Sequence, residues 1–101
     1  MNLLPEHVAK TLPKIYAQEG KGYNAMAYLK FFDPCSNWTW FVTEFDGRDT
    51  FFGLVIGHFV EFGYFSLTEL AACKNRLGIG IERDIHFTPK TLEEIMSSQE
   101  H

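Results

Sequence analysis

The sequence predicts an α+β domain: a mostly antiparallel sheet of three to five strands, arranged as a meander, with short helices packed against it. Three observations predict it. Aromatic and aliphatic residues crowd into Asn37–Leu70, which holds both Trp and seven of the ten Phe. Turn chemistry cuts the region into strand-length runs, at Asp33-Pro34-Cys35-Ser36-Asn37 and again at Asp46-Gly47-Arg48-Asp49. A capping box, Ser66-Leu67-Thr68-Glu69, then switches the pattern from strand to helix.

The elements follow in order. One domain is expected over residues 1–101, because chains of this size rarely split. Residues 3–19 read as a helical lead-in, since Leu4, Val8, Leu12, Ile15 and Tyr16 recur at helical steps, and Pro5 and Pro13 each suit a first turn. The meander spans 25–65, with strands at Ala25–Phe32, Trp38–Phe45 and Phe51–Val60. If Phe45 lies opposite Thr50, then Trp38 meets Gly57, Trp40 meets Val55 and Val42 meets Gly53 on one face. On the other face Thr39 meets Ile56, Phe41 meets Leu54 and Thr43 meets Phe52, so glycines oppose large residues on one face only. Glu61-Phe62-Gly63 reads as a bend or bulge, and Tyr64-Phe65 as a short fourth strand. Helix 67–77 follows, with Leu67, Leu70, Ala71 and Leu77 as its buried stripe and Gly78 as its stop. Residues 83–87 read as an edge strand and 91–97 as a C-terminal helix, started by Pro89 or by Thr91-x-x-Glu94. The end from Ser97 to His101 is expected to fray. Both faces of the central hairpin are apolar, which calls for helices on both sides or a partner on one.

Composition narrows the function classes. The formal charge of −4 argues against broad nucleic-acid binding, which draws on Lys and Arg to displace counterions. The start MNLLPEHVAK lacks the basic and apolar regions of a signal peptide, and no run reaches the ~20 apolar residues of a membrane span, so a cytoplasmic location is expected. Cys35 and Cys73 follow no metal or redox spacing and read as reduced thiols. No cofactor is implied.

Chemistry-bearing residues are few. His58 sits among Ile56, Phe59 and Val60, and a mid-strand His is more often structural than an acid–base group. Glu82, Arg83 and Asp84, with His86, form a compact polar cluster. It would need ligands from a second element, such as Glu44, Asp46 or Glu61, to hold a metal, and a solvated edge is the simpler reading. Trp38, Trp40, Tyr64 and Phe32 could stack on single-stranded nucleic acid, with Lys30, Arg48 and Lys74 on phosphates, but such rings more often fill a core.

Several segments carry a resemblance: LLP, LPKIY, KFFDP, SNWTW, EFD, FFGLVIG, EFGYFSLTEL, LGIGIERDIHF and P-x-x-L. Across residues 3–95 the chain resembles a family of small bacterial proteins known as a domain of unknown function, often carried on plasmids and integrative conjugative elements. The resemblance implies mobile-element biology and no particular activity, cofactor or catalytic residue.

The function expected from these readings is non-enzymatic: an interaction protein binding a protein partner and interfering with a host or defence factor. Trp38, Trp40 and Tyr64 would anchor, and Glu82, Arg83 and Asp84 would form a charged rim. The alternatives are a single-strand nucleic-acid binder using an aromatic sheet face, and a small metal-dependent hydrolase around His58 or His86.

Overall fold

Alternating apolar residues drive the middle of the chain into strands, and short segments on either side cover them. The computed structural model describes residues 1–98. It runs α1 (Glu6–Ala9), a 3-10 turn (Gly22–Asn24), β1 (Met26–Ala27), β2 (Leu29–Phe32), β3 (Thr39–Phe45), β4 (Thr50–Ile56) and β5 (Val60–Ser66). Then follow α2 (Leu67–Ala72), β6 (Glu82–Arg83), β7 (Lys90–Thr91) and α3 (Leu92–Ser98). The class is α+β, as expected. A five-stranded antiparallel sheet has the order β5-β4-β3-β2-β6, and β1 pairs with β7 in a second, two-stranded sheet.

Both faces of the large sheet are covered from within the chain. On one face Leu29, Phe31, Val42, Phe45 and Phe51 pack with Leu3, Ile81 and Leu70 of α2, and Leu4, Val8 and Leu12 close over them. On the other, Phe41, Leu54 and Ile56 pack with Ala25, Ala27 and with Leu92 and Ile95 of α3. Phe31, Phe41, Phe51 and Leu54 are wholly buried. Each such side chain stabilises the fold by roughly 1.5–3 kcal/mol through the water it sheds.

The central hairpin keeps the expected register from Thr39–Ile56 through Val42–Gly53, then departs from it. A bulge between Val42 and Glu44 sets Glu44 opposite Phe52 and Phe45 opposite Phe51, not Thr43 opposite Phe52 and Phe45 opposite Thr50. The reason is burial. In the unbulged register Glu44 would face Phe51 inside the core; the extra residue replaces it with Phe45, whose ring stacks on Phe51 at 4.8 Å. Gly53 is required here, because a Cβ would collide with the Phe41 carbonyl. At the hairpin's far end the Trp38 indole lies over the backbone of Gly57, as anticipated.

Other boundaries differ from the sequence reading for local reasons. The strand expected over Phe51–Val60 stops at Ile56, and Gly57-His58-Phe59 is the turn, closed by Gly57 N–H donating to Phe59 C=O. His58 is therefore exposed at a turn, not mid-strand. The expected bend at 61–63 is instead regular strand, with Glu61 opposite Val55 and Gly63 opposite Gly53. Ala25–Phe32 divides at Tyr28 into β1 and β2. In 3–19 only Glu6–Ala9 is helical; Tyr16 takes a left-handed backbone, which no helix accommodates. Helix 67–77 ends at Ala72, because the Asn75 side chain accepts from the N–H of Leu77 and Ile79 and winds a tight loop. The edge strand expected over 83–87 is Glu82–Arg83, after which the Asp84 carboxylate accepts from His86 N–H and turns the chain. The C-terminal helix begins with Thr91 and Glu94 capping each other, as their spacing predicts. Of the end expected to fray from Ser97 to His101, Ser97 and Ser98 are instead helical in α3, and the rest lies outside the described residues.

The cap of α2 has a partner that the S-x-x-E pattern does not contain. Ser66 Oγ accepts from Glu69 N–H, while Asp49, from the β3–β4 turn, accepts from Ser66 Oγ and from both N–H and Oγ1 of Thr68. These bonds, Ser66 and Thr68 hydroxyls first, hold the Asp49 carboxyl below its ordinary value. Asp46 is lowered likewise by N–H donors from Arg48, Thr50 and Asp49.

Three outcomes follow. Gly53→Ala should destabilise the fold by on the order of 3 kcal/mol, the upper end of overpacking, read by chemical denaturation. Gly57→Ala should cost less and instead shift tryptophan fluorescence, since the indole can rotate away. A lowered carboxyl adds stability above the unfolded carboxylate range of about 4 that is lost as pH falls through the folded value. Asp49→Ala should therefore be less stable than the parent at neutral pH, with a shallower loss of stability on acidification.

Candidate functional site

The bulge at Thr43 also creates the site. It brings Glu44 into a row with Phe52 and Tyr64 across β3, β4 and β5, on the face that α3 only partly covers. Glu44 is buried, yet its carboxylate is matched: Oε1 accepts from Tyr16 N–H at 3.0 Å and Oε2 from Gln18 N–H at 2.7 Å. Tyr16 has φ 74°, a strained conformation for a residue with a Cβ that costs on the order of 1 kcal/mol. The bond to Glu44 offsets that cost. Gln18 completes the clamp, its amide donating to the carbonyls of Met26 and Thr43 and accepting from Met26 N–H.

Segment 16–22 thus stands as a wall beside the sheet. Between them lies a cavity of about 340 Å³, lined on the sheet side by Thr43, Glu44, Phe52, Phe62 and Tyr64 and on the loop side by Tyr16, Gln18, Glu19 and Gly20. The rings are fixed by one another: Phe52 and Tyr64 meet edge to face at 4.9 Å, Phe52 stacks parallel to Phe62, and Tyr23 leans on Phe62 at 5.5 Å. The walls carry two carboxylates and no Lys or Arg. Tyr64 registers this: lost hydration, the neighbouring Tyr16 phenol, and then Glu44 and Glu19 push its hydroxyl above the ordinary tyrosine range.

The cavity opens beside a sheet edge, since β5 is the outermost strand. The bonds Gly57 N–H to Phe59 C=O and Leu67 N–H to Asp49 C=O bracket the β4–β5 ladder. In an antiparallel pair bonding residues alternate, so Glu61, Gly63 and Phe65 bond to β4. Val60, Phe62 and Tyr64 turn their peptide groups outward. The same residues place their side chains on the cavity face of the sheet, and Phe62 and Tyr64 are 37 % and 58 % exposed.

The residues singled out from sequence do not come together. Trp38 and Trp40 sit on the opposite face from Tyr64, with rings 5.9 Å apart; Trp40 packs on the core and His58 meets Trp38 edge-on. Glu82, Arg83 and Asp84 lie at the other edge of the sheet, on and beside β6, about 19 Å from β5 at four strand spacings. There Asp84 faces Lys30 at 3.9 Å, and His86 joins through its backbone. His58 and His86 lie at turns of different strands, and no three metal-ligating side chains cluster among the described residues. Of the candidate site residues, Tyr64 and the candidate ligand Glu44 line the cavity. Tyr16, Gln18, Glu19 and Phe62 were missed. Glu44 carried one signal, a lone carboxylate inside the apolar run Trp38–Phe45.

Fold and cavity together define a small α+β domain with an acidic, aromatic cleft along a free strand. Residues 3–97 match the family described as a protein of unknown function, DUF2958, and the chain belongs to that family. No curated protein matches the chain, and no solved structure matches it. No helix among the described residues is long and apolar enough to cross a membrane.

Glu44→Gln keeps the shape of the clamp but turns an amide donor toward one of two backbone N–H groups. It should cost about 2 kcal/mol, the scale of a charge-assisted hydrogen bond, with the loss confined to segment 16–22. Hydrogen exchange should show the Tyr16 or the Gln18 amide, whichever loses its acceptor, less protected while those of β3 and β4 stay protected.

Proposed function

We propose that the protein is a non-enzymatic interaction protein that binds an extended segment of a protein partner along β5. One observation carries the reading. β5 is a seven-residue edge strand, about 23 Å long, that turns the peptide groups of Val60, Phe62 and Tyr64 outward and holds a single charge, Glu61, and no proline. Edges of that length are normally blunted by charge, proline or a covering segment, because they template pairing with another chain. Strand addition uses this feature: the backbone supplies affinity, and pockets for alternate side chains supply choice. The cleft beside Phe62 and Tyr64 is such a pocket.

The sign of its charge favours protein over nucleic acid. Glu19 and Glu44 face the exposed rings, and phosphates would be repelled there. Lys30, which a nucleic-acid reading needs near the rings, lies over Phe41 and faces Asp84. The resemblance to small proteins of plasmids and integrative conjugative elements supports a mobile-element setting, in which the partner is a host or defence factor.

The test is capture from host lysate, with nuclease present, comparing the parent with Phe62→Pro and Trp38→Ala. Proline at 62 removes an outward N–H and leaves the β4 ladder intact. A protein held by the parent and by Trp38→Ala, and lost with Phe62→Pro, supports the reading. Capture that needs nucleic acid, or that ignores Phe62→Pro, overturns it.

A further inference from the structure

The cavity itself specifies part of what a partner must carry. From its walls we infer that it receives one basic side chain, an arginine or lysine, projecting from the partner segment laid along β5; this rests on the strand-addition reading above.

Three features point to a cation. The first is wall chemistry: the rings of Phe52, Phe62, Tyr16 and Tyr64 line the space, and aromatic rings attract guanidinium and ammonium groups within about 6 Å. The second is a held negative charge. Glu44 is pinned at the floor by two backbone N–H groups, one to each oxygen, and each oxygen keeps a free lone pair. Glu19 also lines it, and no basic residue among the described residues lines the space to neutralise either. The third is size. At about 340 Å³ the cavity is at the small end of ligand sites, roughly 300–1,000 Å³, which suits one long side chain better than a free cofactor. The geometry of addition agrees. A strand paired with β5 places alternate side chains on the cavity face, at the level of Phe62 and Tyr64. A basic group there would keep its stem against the rings and its head on Glu44.

The test uses N-acetyl-arginine amide, with N-acetyl-citrulline amide as its uncharged counterpart, followed by the ring and amide resonances of the protein. Arginine should bind saturably, move signals of Tyr64, Phe62 and Gly20, and exceed citrulline at least tenfold. Bound cation should also lower the pH at which Tyr64 ionises, read by tyrosinate absorbance. Glu19→Gln, an exposed change outside the core, should weaken arginine several-fold without altering stability. Equal binding of citrulline, or shifts elsewhere than the cavity, would falsify the assignment and leave the strand-addition reading standing. Lysate capture indifferent to Phe62→Pro, with arginine still seated, removes the partner segment instead, and overturns the inference as a statement about partners.

Discussion

The pairing of Glu44 with the backbone of Tyr16 and Gln18 is the constraint on which the site depends. A carboxylate inside an apolar strand has two outcomes: it stays unpaired at a cost of several kcal/mol, or the chain rearranges to meet it. Here the strand inserts one residue at Thr43, and Glu44 passes from the core face to the cavity face. Phe45 takes the vacated position on Phe51. The same step aligns Glu44, Phe52 and Tyr64 in one row and provides anchors for a loop that has no secondary structure of its own. One bulge thus links core packing to surface chemistry.

The clamp explains why segment 16–22 can form a wall at all. It contains two glycines with positive φ and a tyrosine in the left-handed region, so its backbone has little preference for the observed path. Glu44 and Gln18 supply that preference through five hydrogen bonds, three of them to or from the side chain of Gln18. Such a wall is held jointly by the carboxylate and by the Gln18 amide. A ligand that engages the remaining lone pairs of Glu44 would bind a surface already organised, with little ordering left to lose.

Much of the fold was legible in the sequence, because its determinants are local or periodic. The hairpin register from Thr39 to Val42 followed from closing the turn with Phe45 opposite Thr50, a pair the bulge then replaces with Phe45 opposite Phe51, and the Thr91–Glu94 cap followed from spacing alone. The misreadings share a cause. Where Asn75 and Asp84 bend the backbone with their own side chains, periodicity continued past the true end of α2 and of β6. In β5 the Glu61-Phe62-Gly63 stretch reads as a bend or bulge because Gly63 resembles a breaker, whereas Gly63 sits opposite Gly53 in a regular ladder. The site was least legible. Its carboxylate and its loop are 26 to 28 residues apart in the chain, and only the bulge brings them together. The Trp pair and the Glu82–Asp84 cluster drew attention by composition, but the strand order sends them to the other face and the other edge.

The two faces of the sheet now contrast in a way that composition could not show. On the face covered by α2 the rings of Phe31, Phe45, Phe51 and Phe65 satisfy one another, and Trp38 has Gly57 and Trp40 beneath it. On the other face the α3 core takes in residues of β3 and β4 but none of β5 among the described residues, and Phe62 and Tyr64 set their rings against Phe52 and Tyr23 beside the clamped loop. Exposed rings beside an unpaired strand edge are unfavourable twice over, in apolar surface and in unused peptide groups. A strand laid on that edge would remove both exposures at once, and a basic residue on it would meet the one buried carboxylate that faces the same opening. The features that make this corner costly in the free protein are the ones a partner segment would satisfy.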